Sequence, residues 1–118
     1  MSIYPAELGS PIVCDMTLPQ GPAGSLETVN FDPVLIERAH YGVTFTSITV
    51  ASEELSVGDT VRWIAAARRY FAARPEQVVF VEKAGDIRAA QTAGKIAVNL
   101  HFQGTNPLAG DLLSLIHI

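Results

Sequence analysis

The feature that most constrains this chain is a regular alternation of short strand-like runs with amphipathic helical segments. Runs rich in apolar and β-branched residues predict strands, and apolar residues at helical spacing between them predict helices. The predicted strands are 11–15, 43–50, 77–82 and 95–102, and the predicted helices are 33–41, 58–73, 86–93 and 108–117. Parallel strands need a long crossover, usually a helix, so the alternation predicts an α/β domain built on a parallel sheet.

Local signals mark the ends of these helices. Pro33 suits the first helical position and Asp32 can cap exposed backbone N–H groups. Ser56 precedes the second helix, while Gly42 and Gly94 follow the first and the third, where helices commonly end. These signals predict the boundaries independently of the hydrophobic pattern.

The composition is that of a folded domain, and it predicts that some apolar surface stays exposed unless a partner covers it. Hydrophobic residues make up 48% of the 118 residues and charged residues only 17%, and the mean hydropathy of +0.26 is high for a small soluble domain. The net charge is −4 and the eight Lys and Arg form no basic stripe, which argues against nucleic acid as a partner. Trp63, Tyr70 and Phe71 lie on one helix, and their spacing indicates packing against the sheet rather than a base-stacking platform.

The single cysteine, Cys14, excludes an internal disulfide framework and fits a reducing compartment. We expect Cys14 to be a small buried apolar residue, because no neighbouring sequence pattern supplies a base that would form a thiolate. The sequence has no signal-peptide pattern at its start and no apolar run of membrane-spanning length. We therefore expect a cytoplasmic protein with no membrane partner.

Parallel α/β folds bind ligands at the carboxyl ends of their strands. The residues at such ends here are Asp15, Met16 and Thr17 after the first strand and His101, Phe102, Gln103 and Gly104 after the fourth. Asp15 fits a catalytic carboxylate and a turn cap equally well. His101 is more often a hydrogen-bonded core residue in such a position than a metal ligand. His40 and His117 lie on helices, and no nucleotide-binding, H-E-x-x-H or G-x-S-x-G motif is present.

One stretch resembles a known family. Residues 86–113, DIRAAQTAGKIAVNLHFQGTNPLAGDLL, are similar to a segment of the membrane (renal) dipeptidases, which are zinc metallopeptidases built on a TIM-like barrel. The upstream YGVTFTSITVAS is similar to the family's Gly-Val strand. The matching positions are Asp86, Ile87, Ala90, Gly94, Lys95, Ile96, Ala97, Gly104, Gly110, Asp111 and Leu112. The resemblance implies a metal-dependent hydrolase of dipeptides or related amides.

The chain departs from the family at its metal ligands. Asp15 matches the first Asp of the family's Asp-Gly-His-Asn-Asp motif, but Thr17 and Pro19 occupy the positions of two zinc ligands. Gln103 replaces the metal-bridging glutamate and lacks its anionic oxygen. The family's remaining ligands, histidines on later strands, would lie beyond residue 118. We therefore expect an altered metal complement or none, and no zinc bound by this part of the chain.

A TIM barrel needs eight strands and about 250 residues, and the sequence ends inside a predicted helix. The expected fold is thus the incomplete N-terminal half of a TIM-like barrel, inactive by itself, with an open sheet edge through which copies can associate. The full-length protein would act on a dipeptide-like small molecule. One alternative is a non-catalytic domain that binds a small polar ligand around Thr17, Gln103 and Asn106. Another is a self-contained α/β domain of flavodoxin-like kind.

Overall fold

A computed structural model of the chain describes residues 10–18, 26–52 and 54–104. They form seven elements in the predicted alternating order. The strands are β1 Cys14–Leu18, β2 Phe45–Ala51, β3 Val78–Phe80 and β4 Ile96–Phe102, and the helices are α1 Asp32–His40, α2 Val57–Ala72 and α3 Gly85–Thr92. The fourth predicted helix, 108–117, lies outside the described residues. No helix within the described part is long and apolar enough to cross a membrane.

The four strands form one parallel sheet, as predicted, in the order β1-β2-β4-β3. The chain therefore passes from β2 over the position of β4 to the edge strand β3 and then returns to β4. Right-handed crossovers that run in opposite directions place their helices on opposite faces of a sheet. The two hydrophobic cores follow this rule, because α1 and α2 pack on one face and α3 packs on the other.

The larger core lies between the sheet and the helices α1 and α2. Its centre is Phe31, which is fully buried just before α1 and whose ring lies 4.9 Å from that of Phe71 and 5.2 Å from that of Tyr70. Ile48 and Val98 from the central strands are also fully buried. Tyr70 and Phe71 of α2 pack against the sheet as the sequence predicts, while Trp63 is only half-buried. Burial of such apolar area is the main stabilising contribution.

The smaller core lies on the opposite face, under α3. Phe45 and Ala97 of the sheet and Ala90 of α3 are buried together, and Ile87 packs against them. Phe45 and Ala97 face each other across β2 and β4 near the start of both strands. The helix α3 therefore covers the amino-terminal part of this face.

Most helix boundaries follow the predicted signals. Gly42 and Gly94 have φ of 72° and 68°, a left-handed conformation that glycine adopts without strain at a helix end. The Ser56 hydroxyl accepts a hydrogen bond from the backbone N–H of Asp59, so it caps α2. Asp32 was predicted as a cap, but it is already the first residue of α1.

The first strand differs from its predicted range of 11–15. It begins at Cys14 and continues to Leu18, because pairing with β2 extends through the polar residues of this segment. A register shift between Asp15 and Leu18 brings Leu18 opposite Ile48, where it is buried in the larger core. Asp15 is therefore inside the strand and does not follow its carboxyl end.

Candidate functional site

A polar cluster lies on the sheet face that α3 covers, farther toward the carboxyl ends of the strands. Thr49 faces His101 across β2 and β4, and Ser47 is two residues before Thr49. Because side chains alternate along a strand, these three residues share the face of Phe45 and Ala97. Ser47 and Thr49 are only 6% and 7% exposed, and His101 is half-buried. We call Ser47, Thr49 and His101 the polar cluster.

The hydrogen bonds of the cluster favour one tautomer of the neutral imidazole. The Thr49 hydroxyl donates its proton to the backbone carbonyl of Leu18 at 2.8 Å. Its oxygen, at 2.8 Å from His101 Nε2, must therefore accept from an Nε2–H. In the neutral ring Nδ1 then carries a lone pair, and it accepts from the Ser47 hydroxyl at 2.9 Å. The arrangement is a hydroxyl, an imidazole nitrogen that accepts its hydrogen bond, and a second hydroxyl that orients the ring.

Sequence reasoning identified His101 but missed Ser47 and Thr49. The available signal was the pair of hydroxyl residues at i and i+2 in a strand predicted to be buried, because buried hydroxyls require hydrogen-bond partners. The hydrogen-bonded interpretation of His101 agrees with the structure. Both ring nitrogens are engaged by hydroxyls, so the ring has no free nitrogen for a metal ion.

Asp15 lies on the other face of the sheet from the polar cluster. It is opposite Thr46, which shares the face of the larger core with Val98. Its carboxylate Oδ2 is 3.1 Å from Nε of Arg38 on α1, and both side chains are about one-quarter exposed. In addition, β2 lies between β1 and β4. Asp15 and His101 therefore lie on opposite faces of the described sheet, and Asp15 forms a helix-to-sheet ion pair with Arg38.

The other predicted site residues are dispersed. Gln103 is exposed just after β4, and its backbone N–H donates to the carbonyl of Ala51. Thr17 belongs to β1, but its side chain is outside the described structure, and Asn106 and His117 are outside it altogether. The expectation that Cys14 is buried is wrong. The thiol is exposed because Cys14 lies on an edge strand and faces away from the larger core.

The zinc site that the resemblance implies does not fit the described residues. Within 10–18, 26–52 and 54–104, no three or more His, Cys, Asp or Glu side chains are grouped so that they could hold a metal ion. Asp15 pairs with an arginine on the far face, and both imidazole nitrogens of His101 are hydrogen-bonded. A binuclear zinc centre requires several such ligands to converge. We therefore derive no chemistry through zinc.

A groove of about 780 Å³ is a rival site, but it lies at the other end of the sheet. Val78 and Ile96, the first residues of β3 and β4, line it together with Asp32 and Arg74. Arg74 Nε is 3.3 Å from Asp32 Oδ1, and its guanidinium lies 3.7 Å from the Tyr70 ring centre. Since ligand sites of parallel sheets lie at the strands' carboxyl ends, we assign this charged cluster to stability.

The pKa of Tyr70 reflects the same cluster. Burial and a hydrogen bond from its hydroxyl to Asp32 together raise the pKa of Tyr70 to about 12, although the Arg74 charge acts in the opposite direction. Tyr70 therefore stays protonated throughout the physiological range. It serves as a hydrogen-bond donor between α2 and α1.

Comparison with known proteins gives a likeness to a solved structure. No family model and no curated protein matches the chain. An amidohydrolase from Pseudomonas aeruginosa, known from a crystal structure, superposes with a TM-score of 0.68 at 21% sequence identity. The match covers 88% of this chain and 29% of that chain, so the chain spans less than a third of the length of that protein.

At this level of identity the likeness concerns the fold. The four parallel strands in one open sheet are consistent with part of a TIM-type barrel, as expected. The polar cluster lies toward the carboxyl ends of these strands, where such folds place their chemistry. The chain therefore shares the α/β fold of the matching part of that protein.

Proposed function

We propose that the chain is the N-terminal part of an amide hydrolase of the membrane dipeptidase type, which acts on dipeptides or related small amides. The observation that carries the proposal is the superposition of 88% of the chain on an amidohydrolase. The resemblance of residues 86–113 to the dipeptidases supports the choice of substrate class. The position of the polar cluster toward the strand ends supports a site on the same face.

We further propose that the 118 residues alone do not turn over dipeptides. They correspond to 29% of the amidohydrolase chain, and β1 and β3 leave two edges on the described sheet. A barrel site is assembled from the ends of several strands around a closed sheet. The same open edges would allow copies of the chain to associate.

The test is to express the complete reading frame that encodes the chain and to assay it on a panel of dipeptides and N-acyl amides. The 118-residue chain is assayed beside it, with and without added zinc. We expect hydrolysis by the complete product and none by the 118 residues. Saturable binding without turnover would favour the small-ligand-binding domain instead, and turnover of no amide in the panel would contradict the proposal.

A further inference from the structure

The polar cluster has the three parts of an activated nucleophile. Ser47 supplies a hydroxyl, His101 Nδ1 accepts a hydrogen bond from it at 2.9 Å, and the Thr49 hydroxyl accepts one from the opposite ring nitrogen at 2.8 Å. A serine hydroxyl is a weak nucleophile until an adjacent base removes its proton, and the base works best when a third group fixes its tautomer. These relations are geometric and do not depend on a sequence motif.

The role of Thr49 follows from its own bond to Leu18. Because its single proton is donated to that carbonyl, the hydroxyl can only accept from the imidazole. The lone pair of His101 is therefore directed at Ser47. In hydrolytic triads a carboxylate usually orients the histidine, and here a neutral hydroxyl anchored to the backbone does so.

We propose that Ser47 is an acyl-accepting nucleophile, with His101 as its base and Thr49 as a positioning residue. The substrates would be amides or esters of short acyl groups, because Ser47 is only 6% exposed and a bulky acyl group would not reach it. This inference rests on the proposed amide hydrolase and deepens it by naming a nucleophile. Its nucleophile, base and positioning residue all belong to this chain, and the remaining strands of a closed barrel would supply the rest of the substrate site.

In the first half of the reaction the Ser47 proton moves to His101 Nδ1 while Oγ bonds to the acyl carbon. The bond from that carbon to the leaving nitrogen breaks, and the nitrogen takes the proton from the imidazolium. In the second half a water gives its proton to Nδ1 and attacks the ester. The acyl–Oγ bond breaks, and the proton returns to Ser47. The sum is amide plus water giving acid plus amine, with no change of oxidation state.

The test uses the 118-residue chain and p-nitrophenyl acetate, a small activated ester that needs no help in expelling its leaving group. Cys14 is exposed and its thiol would react as well, so all variants carry Cys14→Ser. The release of nitrophenolate is followed, and the acetylated residue is identified by peptide mass spectrometry. Circular dichroism verifies that each variant is folded.

We expect one acetyl group per chain, on Ser47. Ser47→Ala should remove it, and His101→Gln should slow its formation at least tenfold. Thr49→Val should also slow it, whereas Thr49→Ser keeps the hydroxyl and should restore most of the rate. Acetylation of other residues without Ser47, or an equal rate in His101→Gln, would overturn the proposal. If Ser47→Ala does not fold, the site of acetylation in the parent chain decides.

This outcome is separable from that of the proposed function. Acetylation of Ser47 in a protein whose complete form hydrolyses no amide would overturn the proposed function and leave the nucleophile. Hydrolysis of amides by the complete protein without any labelling of Ser47 would overturn the nucleophile alone.

Discussion

Two threonines of β2 offer a matched test of the polar cluster. Thr49 makes two hydrogen bonds on one face of the sheet, whereas Thr46, on the other face, is fully buried and its hydroxyl has no partner among the described residues. Thr→Val replaces the hydroxyl by a methyl group of similar size in both. At Thr49 the change leaves the Leu18 carbonyl and the His101 Nε2–H unpaired. Each unpaired group costs about 1–3 kcal/mol, and the added methyl group returns roughly 0.8 kcal/mol.

The two substitutions should therefore have opposite signs. We expect Thr49→Val to lower the free energy of unfolding by about 1–5 kcal/mol. Thr46→Val should raise it by about 1 kcal/mol, because an unpaired buried hydroxyl is removed. Urea unfolding followed by far-UV circular dichroism measures both changes, provided that the slope of the free energy of unfolding against urea concentration is the same in the variants and the parent chain. If both variants are destabilised to the same extent, the hydrogen bonds of Thr49 do not hold His101 as described.

Three further predictions concern the larger core and its charges. The pKa of Tyr70 is raised to about 12 in the folded chain. The contribution of Tyr70 to the free energy of unfolding should therefore be constant up to about pH 10 and then fall by up to about 3 kcal/mol as the pH approaches 12. If Tyr70→Phe loses the same free energy over this pH range, the loss does not come from ionisation of Tyr70. Phe31→Ala should cost about 3–5 kcal/mol in urea unfolding, because the ring is fully buried, and a loss under 1 kcal/mol would contradict its central position. Asp15→Asn should cost about 1 kcal/mol through the partly exposed pair with Arg38 and leave the acetylation of Ser47 unchanged; loss of acetylation would place Asp15 in the site.

The sequence predicts the architecture well because its signals are local. Alternating apolar runs with helical segments define a parallel sheet, and Gly42 and Gly94 end their helices where left-handed glycines are favourable. The order of the strands has no such signal. The return of the chain to place β4 between β2 and β3 depends on long-range pairing that no short pattern specifies.

The site was less predictable because it too depends on long-range strand pairing. The predicted strand ends at Asp15, but in the structure Asp15 lies inside β1, and its pairing opposite Thr46 places it on the face of the larger core, where it contacts Arg38. His101 could be chosen from its position on a strand, whereas its partners lie more than 50 residues earlier in the chain. Convergence of side chains from two strands is visible only when their register is known.

The most direct test of the account is the protonation of the His101 ring. In a chain labelled with ¹⁵N-histidine at mildly alkaline pH, proton–nitrogen spectra distinguish a protonated ring nitrogen from one that carries a lone pair. The exposed His40 serves as an internal reference. We expect His101 to carry its proton on Nε2 alone, to lose this preference in Thr49→Val, and to be unaffected by added zinc. A proton on Nδ1, an averaged spectrum like that of His40, or a zinc-dependent change at His101 would contradict the account.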